Sequence, residues 1–347
     1  MKTQLVRADN EEATESPSPA TDHARKVLQF ALHHAILAPS SHNAQPWRFQ
    51  FRGDGLELYL DRTRALPMVD PQGREMVMSC GAALLNLRLA IRYLGYAGEV
   101  SLFPDPGNSE LLARIGVGWG QAATPRDRAL FDAIPKRHTN RLPLEHRAIA
   151  DSVFDALQVA VQEEGAWLHV VRDQNDLKAL ANLVWEADRI QWIDRRCRRE
   201  LAKWIRPNRS RRQDGIPGYS LGLGDAASVV APAVMRAFDL GRRISEKDWA
   251  IAASAPALML LGTEDDFSSD WLRAGQAVEK LLLLACTHGI SASFFNQPLQ
   301  VAELRPQVRA ALVETGYPQL LFRLGYGSEI QPTPRRSLCD VATTLER

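Results

Sequence analysis

The segment PSSHNAQPW, residues 39–47, separates two stretches of different periodicity. Apolar side chains recur at helical spacing over residues 27–36, and Pro39 ends that pattern because proline cannot continue a helix. Over residues 47–60, apolar and polar side chains alternate on both sides of an Asp-Gly turn, which predicts a β-hairpin. The segment is therefore predicted to be a loop between a helix and a strand. Its hydroxyl and amide groups could hydrogen-bond the edge of an uncharged heterocycle, or could serve only as a cap and turn.

A long apolar helix is predicted over about residues 75–94, and the chain repeats it further on. Sliding the sequence by 194 residues aligns Gly81 with Gly275. With a further 15-residue insertion, residues 114–118 match residues 323–327, each at the end of a predicted strand. Two amphipathic helices can match by chance, but the matched strand ends favour an internal duplication.

This interpretation gives the chain an α/β (α+β) fold built from two homologous halves, a pseudo-dimer within one polypeptide. The first half is predicted over residues 22–125 and the second over residues 126–347, after a flexible leader at residues 1–21. The second half carries an insertion at about residues 173–248. An active site is then expected between the two halves.

The charge balance argues against a general polyanion binder. The 347 residues include 42 basic and 41 acidic side chains, for a formal charge of +1. Binding nucleic acid needs uncompensated positive charge that displaces counterions, so we expect no nucleic acid as a partner. The four cysteines lack metal-ligand spacing, and no apolar run reaches the roughly 18 residues that span a bilayer. We expect no metal, no membrane partner and a cytoplasmic location.

Two arginine-containing segments could bind an anion. In RHTNR, residues 137–141, Arg137 and Arg141 flank a hydroxyl group, and guanidinium groups bind phosphate through paired, charge-assisted hydrogen bonds. In PTPRR, residues 332–336, two further arginines follow prolines. The first segment could equally be a solvated surface run, and the tail arginines taken alone are expected to face solvent.

The three segments together resemble the motifs of the flavin-dependent nitroreductase family. Residues 39–47 resemble its P-S-S-x-N-x-Q-P-W loop, residues 137–141 its R-x-S/T-x-R/K flavin phosphate motif, and residues 334–336 its basic C-terminal stretch. In ordinary members each of two FMN sites takes the arginine motif from one subunit and the serine loop from the other. Here each half keeps only one motif, as in the fused, Acg-type branch. The resemblance implies a nitroreductase-like fold, a monomeric pseudo-dimer and one complete FMN site.

The resemblance also implies roles for individual residues. Arg137 and Arg141 would hold the FMN phosphate and ribityl chain, and the segment around Phe295 would face the reactive flavin nitrogen, unless it is only a packed strand end. No side chain is required as a catalytic acid or base, because the cofactor carries the chemistry. The implied cofactor-binding residues are Arg137, Thr139, Arg141, Ser40, Ser41, Asn43, Gln45, Phe295, Asn296, Arg335 and Arg336.

The implied activity is that of an FMN-dependent NAD(P)H oxidoreductase. Hydride would pass from NADH or NADPH to FMN and on to a small acceptor such as a nitroaromatic or a quinone. The alternative is a protein that stores or sequesters FMN without turnover, because the insertion could lie over the site as a lid.

The insertion contains a strongly basic run. Residues 189–212 hold ten basic side chains against two acidic ones. The run could bind a nucleic acid or an acidic partner, with Trp192 and Trp204 as stacking platforms. We favour instead a lid face near an anionic cofactor, or a solvated surface.

Overall fold

The computed structural model describes residues 19–312 and 315–344 of the chain. Residues 1–18 of the predicted leader lie outside this part, and the first helix begins at Pro19. Up to residue 133, the helices and strands follow the order expected from the sequence. They are α1 (Pro19–Ala35), β1 (Trp47–Arg52), β2 (Gly55–Leu60), α2 (Arg74–Tyr93), β3 (Ala97–Leu102), β4 (Leu111–Gly118) and α3 (Pro125–Ala133).

The remainder of the chain contains more helices, several of them short. Its elements are α4 (Asp151–Gln162), β5 (Trp167–Val171), α5 (Gln174–Ile193), α6 (Arg195–Trp204), β6 (Ile205–Arg206), β7 (Ile216–Pro217), α7 (Asp225–Ala237), α8 (Gly241–Ala253), β8 (Leu258–Thr263), α9 (Ser268–Thr287), β9 (Ile290–Phe294), α10 (Gln297–Gln300), α11 (Arg305–Ala311), β10 (Tyr317–Tyr326), α12 (Leu338–Val341) and β11 (Ala342–Thr344).

The two main sheets repeat one topology. In the first, the strand order is β1-β2-β4-β3, and in the second it is β5-β8-β10-β9, with antiparallel neighbours throughout. In each sheet the second and third strands along the chain are joined by a long helix, α2 or α9. The predicted α+β fold with two homologous halves is therefore confirmed. The boundary between residues 125 and 126 stays a prediction.

The two halves meet where α2 crosses α9. A Cβ added to Gly81 would lie 2.2 Å from the carbonyl oxygen of Leu272, and one added to Gly275 would lie 2.0 Å from that of Met78. Any side chain beyond hydrogen would force the two backbones apart. The pair of glycines that the 194-residue slide aligns is thus the contact point of the two central helices.

The C-terminal tail crosses back to the first half. Strand β11 pairs in parallel with β1, with Phe49 opposite Ala342. Val341 is buried in the core that also contains the apolar faces of α1 and α2. The tail therefore carries residues 332–336 past the loop at residues 39–47.

The insertion separates two strands that are adjacent in the first half. Only residues 53 and 54 separate β1 from β2, whereas α5, α6, α7 and α8 separate their counterparts β5 and β8. The basic run at residues 189–212 begins at the end of α5 and continues through α6. Asp194 is extended and accepts a hydrogen bond from the backbone N–H of Arg196, so it ends α5 and caps α6. No helix within the described residues is both long and apolar enough to cross a bilayer.

Candidate functional site

The loop at residues 39–47 has a strained backbone. His42, Asn43 and Gln45 adopt positive φ angles of 54°, 53° and 54°. Left-handed backbone costs a side-chain-bearing residue on the order of 1–3 kcal/mol and persists only where the surroundings enforce it. Here the Ser40 hydroxyl accepts from the backbone N–H of Gln45 at 2.9 Å, and the Ser40 carbonyl accepts from that of Asn43 at 2.9 Å. Ser40 therefore fixes the shape of the loop.

Two arginines from different segments meet at the start of this loop. Arg137 and Arg335 each donate an Nη2–H to the backbone carbonyl of Leu37, at 3.3 Å and 3.1 Å. Arg335 also donates to the side-chain oxygen of Asn43 at 3.2 Å. The structure thus brings together the serine loop, the arginine segment and the tail, although they lie about 100 and 300 residues apart in sequence.

The cationic groups here exceed the anionic ones that face them. Arg137 is 5% exposed, and its Nε lies 3.6 Å from a carboxylate oxygen of the buried Glu279. The Nε atoms of Arg137 and Arg335 are buried without a hydrogen-bond partner, and Arg141 forms no hydrogen bond or ion pair with the part of the chain that the structure describes. Unpaired buried guanidinium groups are costly, which makes the cluster a favourable place for an anion.

The pKa values of neighbouring groups reflect this positive potential. Burial, with a further contribution from the charge of Arg137, lowers the pKa of Arg335 to about 9. Burial lowers the pKa of His42 to about 4, helped by Arg141. Burial also lowers the pKa of His138 to about 4, helped by Arg137 and Arg335. Both histidines are therefore neutral at pH 7.

The Ser41 side chain contacts a buried carboxylate that lies outside the motifs recognised in the sequence. Its hydroxyl donates a short hydrogen bond to Glu75, the second residue of α2. The other Glu75 oxygen accepts from Gln300 at 2.8 Å. Burial raises the pKa of Glu75, as does the charge of Asp70, while Arg74 opposes them. Glu75 therefore positions the second serine of the loop.

Asn43 and Gln45 hold the insertion and the tail against the loop. Asn43 donates to the carbonyl of Gly215 at 3.0 Å, and Gln45 donates to that of Gln213 at 2.7 Å. The Gln45 side-chain oxygen accepts from the backbone N–H of Arg336 at 2.8 Å. These two amides have their main contacts within the protein, so their effect on a ligand acts through the loop.

Arg335 and Arg336 have different surroundings although they are adjacent. The Arg336 side chain donates to the carbonyls of Gln45 and Asp340 at 3.2 Å and 2.6 Å and lies 3.6 Å from the carboxylate of Asp61. It is therefore held outside the cluster of Arg137, Arg141 and Arg335.

Thr139, Phe295 and Asn296 belong to the second sheet. Thr139 forms a parallel bridge with Ala292 of β9, so the arginine segment runs beside that strand. Phe295 is buried, and the Asn296 side-chain oxygen accepts from the backbone N–H of Leu321 at 3.0 Å. The end of β9 and the arginine segment are thus neighbours.

A polar cluster beside Phe295 lies outside every sequence motif. The Arg323 guanidinium is 6.0 Å from the Phe295 ring centroid. Burial raises the pKa of Asp188 to about 8, and that of Asp248 to about 6. Gln297 donates to Asp248 at 3.5 Å, and the charge of Asp248 adds to the rise in the pKa of Asp188. The sequence offers one weak signal, since Asp188 occupies an apolar face of a predicted helix.

Comparison with known proteins identifies the family. No family model matches the chain. Among curated proteins, "Putative NAD(P)H nitroreductase Rv3131" of Mycobacterium tuberculosis is 34% identical over 331 residues, covering 93% of this chain and 92% of its own length. The chain belongs to the nitroreductase family. The acg protein of the same organism, also named as a nitroreductase, is 28% identical over 339 residues, covering 93% of this chain and 97% of its own length.

The predicted resemblance to the nitroreductase family and its Acg-type branch is confirmed by these relatives. A solved nitroreductase, the FMN-dependent NfnB of Mycobacterium smegmatis in complex with NADPH, is 17% identical. The match covers 63% of this chain and 99% of that chain, with a TM-score of 0.41. The nitroreductases are oxidoreductases, so the predicted enzyme class is confirmed as well.

Proposed function

We propose that this nitroreductase binds one FMN per chain without a covalent bond, accepts hydride from NADH or NADPH, and reduces a small acceptor such as a nitroaromatic or a quinone. The observation that carries the proposal is the cluster of Arg137, Arg141 and Arg335 beside the strained serine loop. The names of the relatives support the nicotinamide donor, since they are NAD(P)H nitroreductases.

The charges and free donors of the cluster fit a flavin phosphate. The unpartnered Nε atoms of Arg137 and Arg335 and the guanidinium of Arg141 supply charge-assisted donors, and a phosphate oxygen accepts such bonds. A dianion would also offset the repulsion between Arg137 and Arg335 that lowers the pKa of Arg335. Glu279 is the carboxylate that faces Arg137; burial raises its pKa, and the charges of Arg137 and Arg335 oppose that rise.

The remaining predicted residues would position the cofactor. Ser40 and Glu75 fix the backbone of the serine loop, so the loop offers a preformed edge. Thr139 pairs with Ala292 of β9, so both would border the cofactor beside the arginine segment. FMN, when bound, supplies the two-electron chemistry, and the chain supplies binding, orientation and the exclusion of water.

The contacts of the insertion favour one alternative, FMN storage without turnover. The backbone carbonyls of residues 213 and 215 are hydrogen-bonded to the serine loop, and Tyr219 donates to the carbonyl of Pro332 at 2.7 Å. These contacts hold the insertion against the loop and the tail, which supports the lid. Such a cover could keep a nicotinamide away from the flavin.

Stopped-flow reduction separates the two functions. The purified chain is loaded with FMN, mixed with NADPH or NADH without oxygen, and followed by the yellow absorbance of the flavin. Rapid bleaching, followed by recovery of colour when a quinone is added, is the result expected of the oxidoreductase. A colour unchanged over minutes supports storage, and a chain that retains no FMN contradicts both.

A further inference from the structure

We infer that helices α6 and α7 of the insertion form a docking surface for an anionic lipid bilayer. The surface combines exposed cations on α6 with exposed apolar side chains on and next to α7, which we call the α6–α7 face. Its members are Arg195, Arg199, Lys203, Val229, Val230 and Phe238.

The cations of this face form a stripe. Arg195, Arg199 and Lys203 follow at intervals of four residues, so they share one side of α6, and all three are exposed. None of the three forms an ion pair with a carboxylate among the residues that the structure describes. The opposite side of α6 is buried through Arg198, Ala202 and Trp204. The stripe therefore presents charge that the protein does not neutralise.

Helix α7 is apolar and nearly unburied. Within its 13 residues, DAASVVAPAVMRA, only Ser228 is buried. Val229 and Val230 are 64% and 55% exposed, and Phe238, which follows the helix, is 62% exposed. Large apolar side chains exposed together on one element mark an interaction surface, whereas single exposed ones are ordinary.

The two helices lie antiparallel, so the stripe and the exposed apolar side chains are on neighbouring helices. Asn208, just after α6, donates its backbone N–H to the hydroxyl of Ser228 near the start of α7 at 3.0 Å. At the other end, a Cβ on Gly241, just after α7, would lie 2.6 Å from Cβ of Trp192, just before α6. The Lys203 end of α6 is thus beside the start of α7, and the Arg195 end of α6 is beside the end of α7.

This combination selects a bilayer over a nucleic acid. Basic side chains next to exposed valine and phenylalanine match the chemistry of an anionic headgroup layer over acyl chains. A nucleic acid offers no partner for the apolar members, and the tryptophans predicted as stacking platforms, Trp192 and Trp204, are 6% and 5% exposed. The inference revises the sequence-based expectation that the chain has no membrane partner.

Vesicle flotation of the full chain tests the inference. We use phosphatidylcholine vesicles with and without about 30% phosphatidylglycerol, at low and at high salt. The expected result is flotation with the anionic vesicles alone, weakened by salt because exposed charges are screened. Absence of flotation with either vesicle, combined with binding to heparin or an RNA oligonucleotide, overturns the proposal.

A charge-matched pair of variants shows whether the α6–α7 face is responsible. Reversal of three cations on α6 should lower the vesicle partition coefficient by about 100-fold, because each basic residue near an anionic surface contributes to binding. The same change of net charge at exposed residues away from α6 should lower the vesicle partition coefficient by less than about tenfold. An equal loss in both contradicts the inference. The test variant is Arg195→Glu/Arg199→Glu/Lys203→Glu, and the control is Arg48→Glu/Arg128→Glu/Lys178→Glu.

A second variant tests the apolar part. Replacing Val229, Val230 and Phe238 by serine should weaken vesicle binding at least about tenfold without changing the melting temperature, because the side chains are already exposed. Light scattering is run in parallel. If the wild-type chain is a dimer and this variant is a monomer, the face is a contact between copies and the lipid proposal is wrong.

Discussion

The two ends of the α2–α9 crossing are related by the internal repeat but differ in charge. At one end, the loop after α1 runs from residue 36 to residue 46 and meets three arginines, with unpartnered donors. At the other end, the corresponding connection after α4 is the short turn at residues 163–166. There Glu164 pairs with Arg88 and with Lys280 at 2.7 Å and 2.8 Å. The internal repeat gives both ends the same scaffold, but they differ in their cations. The first end has guanidinium donors without a hydrogen-bond partner, whereas Arg88 and Lys280 at the second end are paired with Glu164.

The ion pairs are the reason that we expect no anion to bind at the second end. Burial would raise the pKa of Glu164, but Arg88 and Lys280 outweigh it and lower that pKa. Glu164 stands two residues after the end of α4, as Leu37 stands two residues after the end of α1. An incoming phosphate would be repelled by the Glu164 carboxylate. The nearby cations, Arg88 and Lys280, are already paired with that carboxylate.

The largest effect is expected where the crossing itself is disturbed. Gly275→Ala should lower the free energy of unfolding by 3 kcal/mol or more, on the order expected for severe overpacking, because its Cβ would lie 2.0 Å from a backbone carbonyl. Gly98→Ala is the control, since its Cβ would lie 3.7 Å from Ile91. Urea unfolding of both variants measures the difference. Equal stabilities would mean that the glycine contact does not hold the halves together.

The second effect is a pH dependence confined to the cationic end. The pKa of His42 is about 4 in the folded state, below the usual value of 6.5, so the unfolded state binds the proton first as the pH falls. The contribution of His42 to stability is full above pH 6.5 and is lost between pH 6.5 and pH 4, by up to about 3 kcal/mol. Denaturant titration of FMN-free protein at several pH values measures this loss. A His42→Gln variant that retains the whole slope would contradict the assignment.

The third effect compares one arginine from each end. Arg137→Ala should weaken FMN binding by at least about 2 kcal/mol, or roughly 30-fold, as expected for loss of a buried charged donor. Arg88→Ala removes an arginine that pairs with Glu164 at the other end and should leave FMN affinity unchanged. Fluorescence titration of FMN gives both dissociation constants. A similar loss in both variants would show that the effect arises through stability and not through contact.

The smallest effect distinguishes two neighbours in the tail. Arg335→Ala should weaken FMN binding about tenfold, or about 1.4 kcal/mol, because its guanidinium lies in the cluster. Arg336→Ala should change it by less than about threefold, since that side chain is directed to Asp61 and Asp340. The same titration applies. The reverse order of effects would place the phosphate on the other side of the tail.

The sequence predicted what local pattern and internal repetition encode. Helical and alternating spacing located α1, β1, β2 and α2 to within a few residues, and the aligned glycines Gly81 and Gly275 marked the helix crossing. The three motif segments are short and rich in special side chains, so they were recognisable without a structure. The antiparallel packing of α6 on α7 left no such mark, because it depends on long-range contacts.

The sequence alone did not reveal the role of residues whose partners lie far along the chain. Glu75 and Asp188 are single acids on apolar helices, and their burial depends on contacts to α10 and α8. Likewise, nothing in the pair Arg335-Arg336 indicates which of the two turns inward. Those assignments need the tertiary contacts, because burial and not residue type decides them.

The FMN stoichiometry of the purified chain tests the central claim most directly, because it counts how many ends of the α2–α9 crossing bind FMN. The chain is saturated with FMN, freed of excess, and its flavin absorbance is compared with its protein concentration. The account predicts one FMN per chain for the wild type and for Arg88→Ala, and far less for Arg137→Ala. Two FMN per chain, or one that survives in Arg137→Ala but not in Arg88→Ala, would contradict it.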